Sequence, residues 1–211
     1  MDREMKSHWE GVYRNSSVEK LGWYEANPEP SLGLIRQCNL HKHASILNVG
    51  TGASTLVDEL LNEGYANVIA NDISNAALTE LRLRLGPEES KKVHWIVEDL
   101  CDPKELKSLT KIDLWHDRAV LHFLQDNSSQ NTYFNLLRSL LAAEAYVLIA
   151  AFNLNGAERC SGLPVFRYNA DMLQERLGQE FHMKEAFDYT YLMPSGDTRE
   201  YVYTLFQRKE L

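Results

Sequence analysis

The sequence predicts an α/β fold with a mainly parallel sheet, helices on both faces and an antiparallel hairpin at its C-terminal end. Three observations predict it. From Ser45 to Phe152, apolar runs of strand length alternate with stretches of helical spacing. The first of those runs ends in glycines. The last two β-rich stretches are joined by Pro194-Ser195-Gly196-Asp197, residue types that favour a turn. A βαβα rhythm puts strands in parallel, because each crossover helix returns the chain to the same edge.

The elements follow in order. The first 44 residues are aromatic-rich (Trp9, Tyr13, Trp23, Tyr24) and broken by Pro28 and Pro30. They predict a short helix over 6–14 and another from Ser31 to Leu40, together a cap over a sheet edge. Ser45 to Val49 reads as a buried strand. Ser54 to Gly64 places Leu56, Val57, Leu60 and Leu61 on one helical face, with Ser54 as cap and Gly64 as stop. Asn67 to Asn71 is the second strand and Ser74 to Leu85 the second helix, ended by Gly86-Pro87. Val93 to Val97 and Ile112 to His116 are the third and fourth strands. Gln130 to Leu141 is a helix, Ala145 to Phe152 the fifth strand, and Asn169 to Leu177 a helix. Phe181 to Leu192 and Glu200 to Gln207 form the hairpin, making seven strands in all. No repeat or composition break marks a second domain, so residues 1–211 read as one domain: a helical cap to residue 44 and a core from 45 onward.

Composition removes several classes of function. A hydrophobic content of 44% argues against a disordered chain. No apolar run approaches the ~20 residues of a membrane span, and Met1 to Glu10 lacks a signal-peptide core. The formal net charge of −8, without a basic stripe, argues against nucleic acid as a partner. Cys38, Cys101 and Cys160 are too scattered for a zinc site, so no metal is expected and reduced thiols in the cytoplasm fit best.

Four short segments carry chemistry. In Ile46-Leu47-Asn48-Val49-Gly50-Thr51-Gly52-Ala53-Ser54 a strand runs through glycines into a helix. Glycine there permits a tight turn and close approach of a ligand, and the helix end offers free N–H groups. An ordinary turn is the alternative. Asp72, one βα unit later, either accepts the hydroxyls of a ribose or caps a helix in competition with Ser74. Glu98-Asp99-Leu100 ends the third strand; a carboxylate beside an apolar residue suits an adenine, or else belongs to a solvated loop. Trp115-His116-Asp117-Arg118 ends the fourth strand at the carboxyl edge where open α/β folds bind ligands. An Asp-Arg pair closing a loop is the plain alternative.

Taken together, these segments resemble the class I methyltransferases that use S-adenosylmethionine. The glycine loop is similar to their first motif, Asp72 to the acid ending their second strand, and Asp99-Leu100 to their adenine-site pair. Asp117-Arg118 is similar to the motif after strand four, and the terminal hairpin to their reversed last strand. The resemblance extends to a subgroup of small methyltransferases through His8-Trp9-Glu10-Gly11-Val12-Tyr13, Gly22-Trp23-Tyr24, His116-Asp117-Arg118-Ala119-Val120 and Glu158-Arg159-Cys160-Ser161-Gly162-Leu163-Pro164. It implies a cofactor site of Tyr13, Trp23, Asn48, Gly50, Gly52, Asp72, Ile73, Asp99, Leu100 and Asp117, with S-adenosyl-L-methionine as the cofactor. His116 and Asp117 are the catalytic candidates. Arg118, Arg159 and Ser161 are the acceptor-binding candidates.

Three departures stand out. The residue two before the first glycine is usually acidic in that superfamily and helps to hold the cofactor's ammonium group; here it is Asn48. A hydrogen bond to a charged group contributes about 1.5–3 kcal/mol, so a neutral residue weakens that contact. The third glycine position is Ser54, which also weakens a dinucleotide-binding reading. The usual Pro-Gly-Gly turn before strand five is replaced by Ala142-Ala143-Glu144-Ala145.

Methyl transfer is an in-line displacement in which the protein supplies alignment and a dry site, with a base where the acceptor must lose a proton. Trp9, Tyr13, Trp23 and Tyr24 form either a lid that favours the sulfonium through cation–π contact or a small core of their own. A small-molecule acceptor is expected, since no added recognition domain is visible. Relatives with a similar aromatic N-terminus and an acid-Lys motif after strand four methylate lysines in proteins, which is the alternative; here that motif is Asp117-Arg118, which does not decide between them. A nicotinamide-dependent oxidoreductase and a non-catalytic cofactor-binding scaffold are the rival classes; Asn48 is the best support for the second.

Overall fold

The computed structural model describes residues 3–210. Helix α1 (Arg3–Asn15) and α2 (Glu29–Gln37) precede β1 (Ser45–Val49). Then follow α3 (Leu56–Asn62), β2 (Asn67–Asp72), α4 (Asn75–Ser90), β3 (Val93–Val97), β4 (Ile112–Arg118), α5 (Asn127–Leu140) and β5 (Leu141–Phe152). A small ribbon, β6 (Arg159–Cys160) and β7 (Leu163–Pro164), leads into α6 (Ala170–Leu177), β8 (Phe181–Leu192) and β9 (Thr198–Arg208).

Seven strands form one sheet in the order β3-β2-β1-β4-β5-β9-β8. The first five are parallel, and β9 runs antiparallel to both β5 and β8. The chain reverses direction across the sheet between β1 and β4, and their carboxyl ends open the crevice in which ligands of such sheets lie.

Each central strand is buried on both faces, and its side chains alternate. Leu47, Val49 and Trp115 pack with Tyr133, Phe134 and Leu137 of α5. Ile46, Leu114 and Leu148 pack on the opposite side with Leu32 and Ile35 of α2, Leu56 of α3 and Leu78 of α4. Two apolar layers therefore sandwich the sheet, as expected for an α/β domain.

The elements differ from expectation mainly at their ends. Strand β4 runs to Arg118 rather than His116, and β5 starts at Leu141 rather than Ala145. The Gly86-Pro87 pair bends α4 instead of ending it: Gly86 adopts φ 73° and a further turn continues to Ser90. Asp126 rather than a residue near Gln130 starts α5, its side chain accepting from Ser129 N. Ribbon β6–β7 was not anticipated, being only two residues a side. Among the described residues no helix is long and apolar enough to cross a membrane.

Candidate active site

Local geometry begins with the turn out of β1. Gly50 and Gly52 take φ +55° and +57°, a region that L residues with a Cβ rarely adopt. Neighbours crowd both. A Cβ at Gly50 would stand 1.9 Å from Val120 Cγ2, and one at Gly52 2.4 Å from the Tyr13 hydroxyl. Between them, Thr51 donates through its hydroxyl to Asn48 O (2.7 Å) and through its N–H to Asn71 O (2.8 Å). This ties the loop to the end of β2.

Asp72 completes the tie. Its carboxylate accepts from Gly52 N and from Ser74 N, each at 2.8 Å. Burial pushes its pKa up to about 6, and the two backbone donors offset part of that rise. The cap of α4 is Ser74, whose hydroxyl accepts from Ala77 N, so Asp72 is not used as the cap. Each Asp72 oxygen keeps a further lone pair.

Two clefts adjoin over this loop. The larger, about 830 Å³ and partly open to solvent, is lined by Asp72, Ile73, Asp99, Leu100, Ala119 and Phe123, among others. The smaller, about 480 Å³, includes Glu25, Asn48, Thr51, Gly52 and His116 in its lining. Tyr13, Trp23, Gly50 and Arg118 line both, marking the neck between them. Glu98 belongs partly to the loop beneath: its carboxylate accepts from the N–H groups of Lys104, Glu105 and Leu106 at 2.7–3.0 Å, while Asp99 Oδ1 accepts from Cys101 N at 2.8 Å.

Aromatic rings roof the neck. Trp23 Nε1 donates to the Tyr13 hydroxyl at 3.0 Å. Trp9 meets Trp23 and Phe123 edge-on, with ring centroids 5.5 and 5.0 Å apart. Trp9 therefore lines the larger cleft while also packing in the small N-terminal core.

Strand β4 separates the candidates that the sequence grouped. His116 and Arg118 project to the α2 face, and Asp117 joins Trp115 on the α5 face. Asp117 is fully buried and lines neither cleft. It accepts from the Tyr133 hydroxyl (2.7 Å), Val120 N (3.0 Å) and Leu121 N (3.1 Å). Asp117 was expected to contact the cofactor and to act in catalysis; period-two alternation turns its side chain away from both clefts. His116 borders the smaller cleft, but both ring nitrogens are engaged, one with Asn48 Oδ1 and one with Ser31 Oγ, each at 2.9 Å. Burial pulls its pKa down to about 3, so it stays neutral. His116 was expected as a catalytic candidate; in this structure both of its ring nitrogens already have protein partners.

Arg118 pairs with Glu25 at 3.0 Å, and donates to Tyr203 Oη (3.0 Å) and Trp23 O (2.9 Å). Arg159 and Ser161 lie on the β6–β7 ribbon and line neither cleft, although Cys160 between them lines the larger. Arg159 is exposed and donates to Gly162 O, and Ser161 Oγ meets His8 Nε2 at 3.3 Å. Sequence reading missed Glu25 and Phe123, and it quoted Val120 without assigning it a place in the site. Only the adjacency of Glu25 to the Trp23-Tyr24 pair could have pointed to it.

Sheet order, reversed last strand and glycine loop define the class I fold of S-adenosylmethionine-dependent methyltransferases. Residues 40–210 match the family model described as a methyltransferase domain, and the chain belongs to that family. A curated relative, the EEF1A lysine methyltransferase 2 of Danio rerio, is 24% identical over 185 residues, covering 81% of this chain and 76% of the relative. The crystal structure of a SAM-dependent methyltransferase from Anabaena variabilis superposes with TM-score 0.74 at 13% identity, covering 97% of this chain and 93% of that one. The 1,6-didemethyltoxoflavin-N1-methyltransferase of Burkholderia thailandensis, with bound 1,6-didemethyltoxoflavin and S-adenosylhomocysteine, superposes with TM-score 0.67 at 17% identity, covering 98% and 86%.

Proposed function

We propose that this methyltransferase moves a methyl group from S-adenosylmethionine to an amine nitrogen, with a lysine side chain of a protein as the acceptor. One observation carries the reading. Four segments distant in sequence (48–52, 72–73, 99–100 and 118–120) border two clefts that share one aromatic-roofed neck. A nucleoside in the larger cleft and an amino-acid tail in the smaller would put a sulfonium at that neck.

The residues fit the cofactor. Asp72 has lone pairs for ribose hydroxyls, Asp99 can accept from an adenine amine, and Leu100 and Ile73 offer apolar cover. Gly50 and Gly52 leave the main chain bare where Tyr13 and Val120 already crowd. The cofactor supplies an activated methyl group on a positive sulfur. Trp9, Trp23 and Tyr13 hold that region dry and favour positive charge through their ring faces. No residue is assigned as base, and a neutral amine arriving from solvent needs none before attack. The helical segment through residue 44 acts as a cap on the core that follows, and Cys38, Cys101 and Cys160, none of them in a disulfide, suit the cytoplasm.

The acceptor follows from the walls of the larger cleft. Among the described residues Arg118 is the one cation lining it, and it is committed to Glu25 and to the side where the cofactor's amino-acid tail would lie rather than to an acceptor. An organic acid would find no free counter-charge. Trp9, Trp23 and Phe123 suit an alkyl amine, and the curated relative carries the name of a lysine methyltransferase. A small-molecule acceptor is the second reading: His8 and Ser161, chain neighbours of the cleft-lining Trp9 and Cys160, meet at 3.3 Å and tie those two segments together.

Transfer of tritium from methyl-labelled cofactor into a lysate, split into protein and small-molecule fractions, decides between them. Label in protein that returns as methyllysine after hydrolysis supports the first reading. Label confined to small molecules supports the second. Absence of both, together with no heat of binding for S-adenosylhomocysteine, overturns the function.

A further inference from the structure

The smaller cleft holds an unusual balance of charge and hydrogen bonds. Asn48 stands where the resemblance expects an acid, and its carbonyl oxygen is spent on His116 at 2.9 Å. Its Nδ2 is buried and finds no acceptor among the described residues. Arg118 Nη2 is likewise buried without an acceptor. Both side chains border this cleft, as does Glu25, whose side chain is only 8% exposed and whose Oε2 lies 3.0 Å from Arg118 Nε. Glu25 is placed by its own main chain: its carbonyl accepts from the Thr55 hydroxyl at 2.8 Å, anchoring the loop before α2 to the start of α3.

Two orphaned donors and one buried carboxylate around a single cleft are the complement of a zwitterion. Native proteins rarely leave buried N–H groups without an acceptor, which a ligand or an ordered water supplies where the protein does not. An α-carboxylate supplies acceptors, and an α-ammonium gives the carboxylate of Glu25 a second positive partner. We infer that Glu25 takes the ammonium group of the cofactor's amino-acid tail, in place of the strand acid that Asn48 replaces, while Asn48 and Arg118 take its carboxylate. This rests on the S-adenosylmethionine reading above. It moves the charge that selects the tail from the sheet to the cap loop, so that loop must be docked for the tail to bind. Arg118 is a positioning residue for Glu25 as well as a donor to the ligand.

Calorimetry with two ligands tests it: S-adenosylhomocysteine, and 5′-methylthioadenosine, which keeps the nucleoside and sulfur but has no amino-acid tail. Glu25→Gln is expected to weaken S-adenosylhomocysteine at least tenfold while changing methylthioadenosine less than twofold. Retained methylthioadenosine binding also shows that the variant is folded. Adding Asn48→Asp to Glu25→Gln, which returns a carboxylate to β1, is expected to recover part of the loss. The deaminated analogue of S-adenosylhomocysteine gives a reading on the unaltered protein: it should bind more weakly than the parent, and Glu25→Gln should not weaken it further. Equal losses for both ligands in Glu25→Gln, or no loss for either, overturn the inference and leave the cofactor reading standing. Failure of the unaltered protein to bind either ligand overturns the cofactor reading itself.

Discussion

Asn48 Oδ1 and His116 Nδ1 lie 2.9 Å apart on neighbouring parallel strands, in register, and Ser31 Oγ closes the other ring nitrogen at the same distance. The pair removes a possible base and a possible cofactor acceptor from the site at once. Asn48→Asp replaces a neutral partner with an anion. His116, held near 3 by burial, is then expected to rise by at least one pH unit, because the added charge favours the imidazolium. Titration of its ring signals by NMR checks this; an unchanged midpoint would show that the two side chains do not couple.

The buried histidines draw stability down as the solution is acidified. His116 and His122 are both depressed to about 3 by burial, from an ordinary value near 6.5. The unfolded chain binds their protons first, so their contribution is present above pH 6.5 and is lost as pH falls from there towards 3. Asp72 and Asp117, raised to about 6, act in the opposite sense and, two against two, nearly cancel that slope between 6 and 3.8. His122→Leu removes one histidine. Between pH 6.5 and 4, urea denaturation should show the variant losing less stability on acidification, by up to about 1.4 kcal/mol per pH unit. Parallel curves would refute it.

Crowding at the glycine loop gives a double-mutant test. Gly52→Ala adds a methyl 2.4 Å from the Tyr13 hydroxyl on a backbone at φ +57°. It should cost about 1–3 kcal/mol in stability. Adding Tyr13→Phe removes the clashing oxygen and should restore part of that loss, though not the backbone strain. Strictly additive losses would mean that the clash relaxes elsewhere.

Asp72 should report its protonation through binding. Its carboxyl titrates near pH 6, and only the ionised form accepts freely from two ribose hydroxyls. Affinity for S-adenosylhomocysteine is expected to strengthen as pH rises through about 6 and then level off. Asp72→Asn should bind roughly ten- to hundredfold more weakly and lose that pH dependence. Calorimetry from pH 5 to 8 is the measurement, and a flat profile in the parent protein would exclude the role.

Asp117 carries structure rather than chemistry. Tyr133→Phe deletes the hydroxyl that donates to Asp117 and accepts from Trp115 Nε1 (2.9 Å). A loss of about 1–3 kcal/mol in stability is expected, with S-adenosylhomocysteine affinity within twofold of the parent. A large drop in affinity without a drop in melting temperature would reverse the assignment.

Much of the framework was readable because strand and helix periods are local. Apolar runs at 45–49 and 93–97 became strands with those bounds, and the 181–192 stretch became β8. The ends of β4, β5 and α4 were not readable, since pairing partners and the bend at Gly86 set them. In the candidate site, Asp72 and the two glycines come together because each lies at the carboxyl end of its own strand, β2 or β1, and those strands are neighbours. Glu25 escaped notice because a lone acid in a loop has no periodicity, and its partner Arg118 lies 93 positions away.

Residue order alone dictated the parallel sheet, the reversed final strand and the place of the glycine turn, since those depend on spacing and on backbone chemistry within a few neighbours. Which way each side chain of β4 faces, and which charges meet, was decided in three dimensions. Alternation along a strand sends adjacent residues to opposite layers, and only the packing of α2 and α5 determines what waits there. Asp117 therefore found Tyr133, while Arg118 found Glu25.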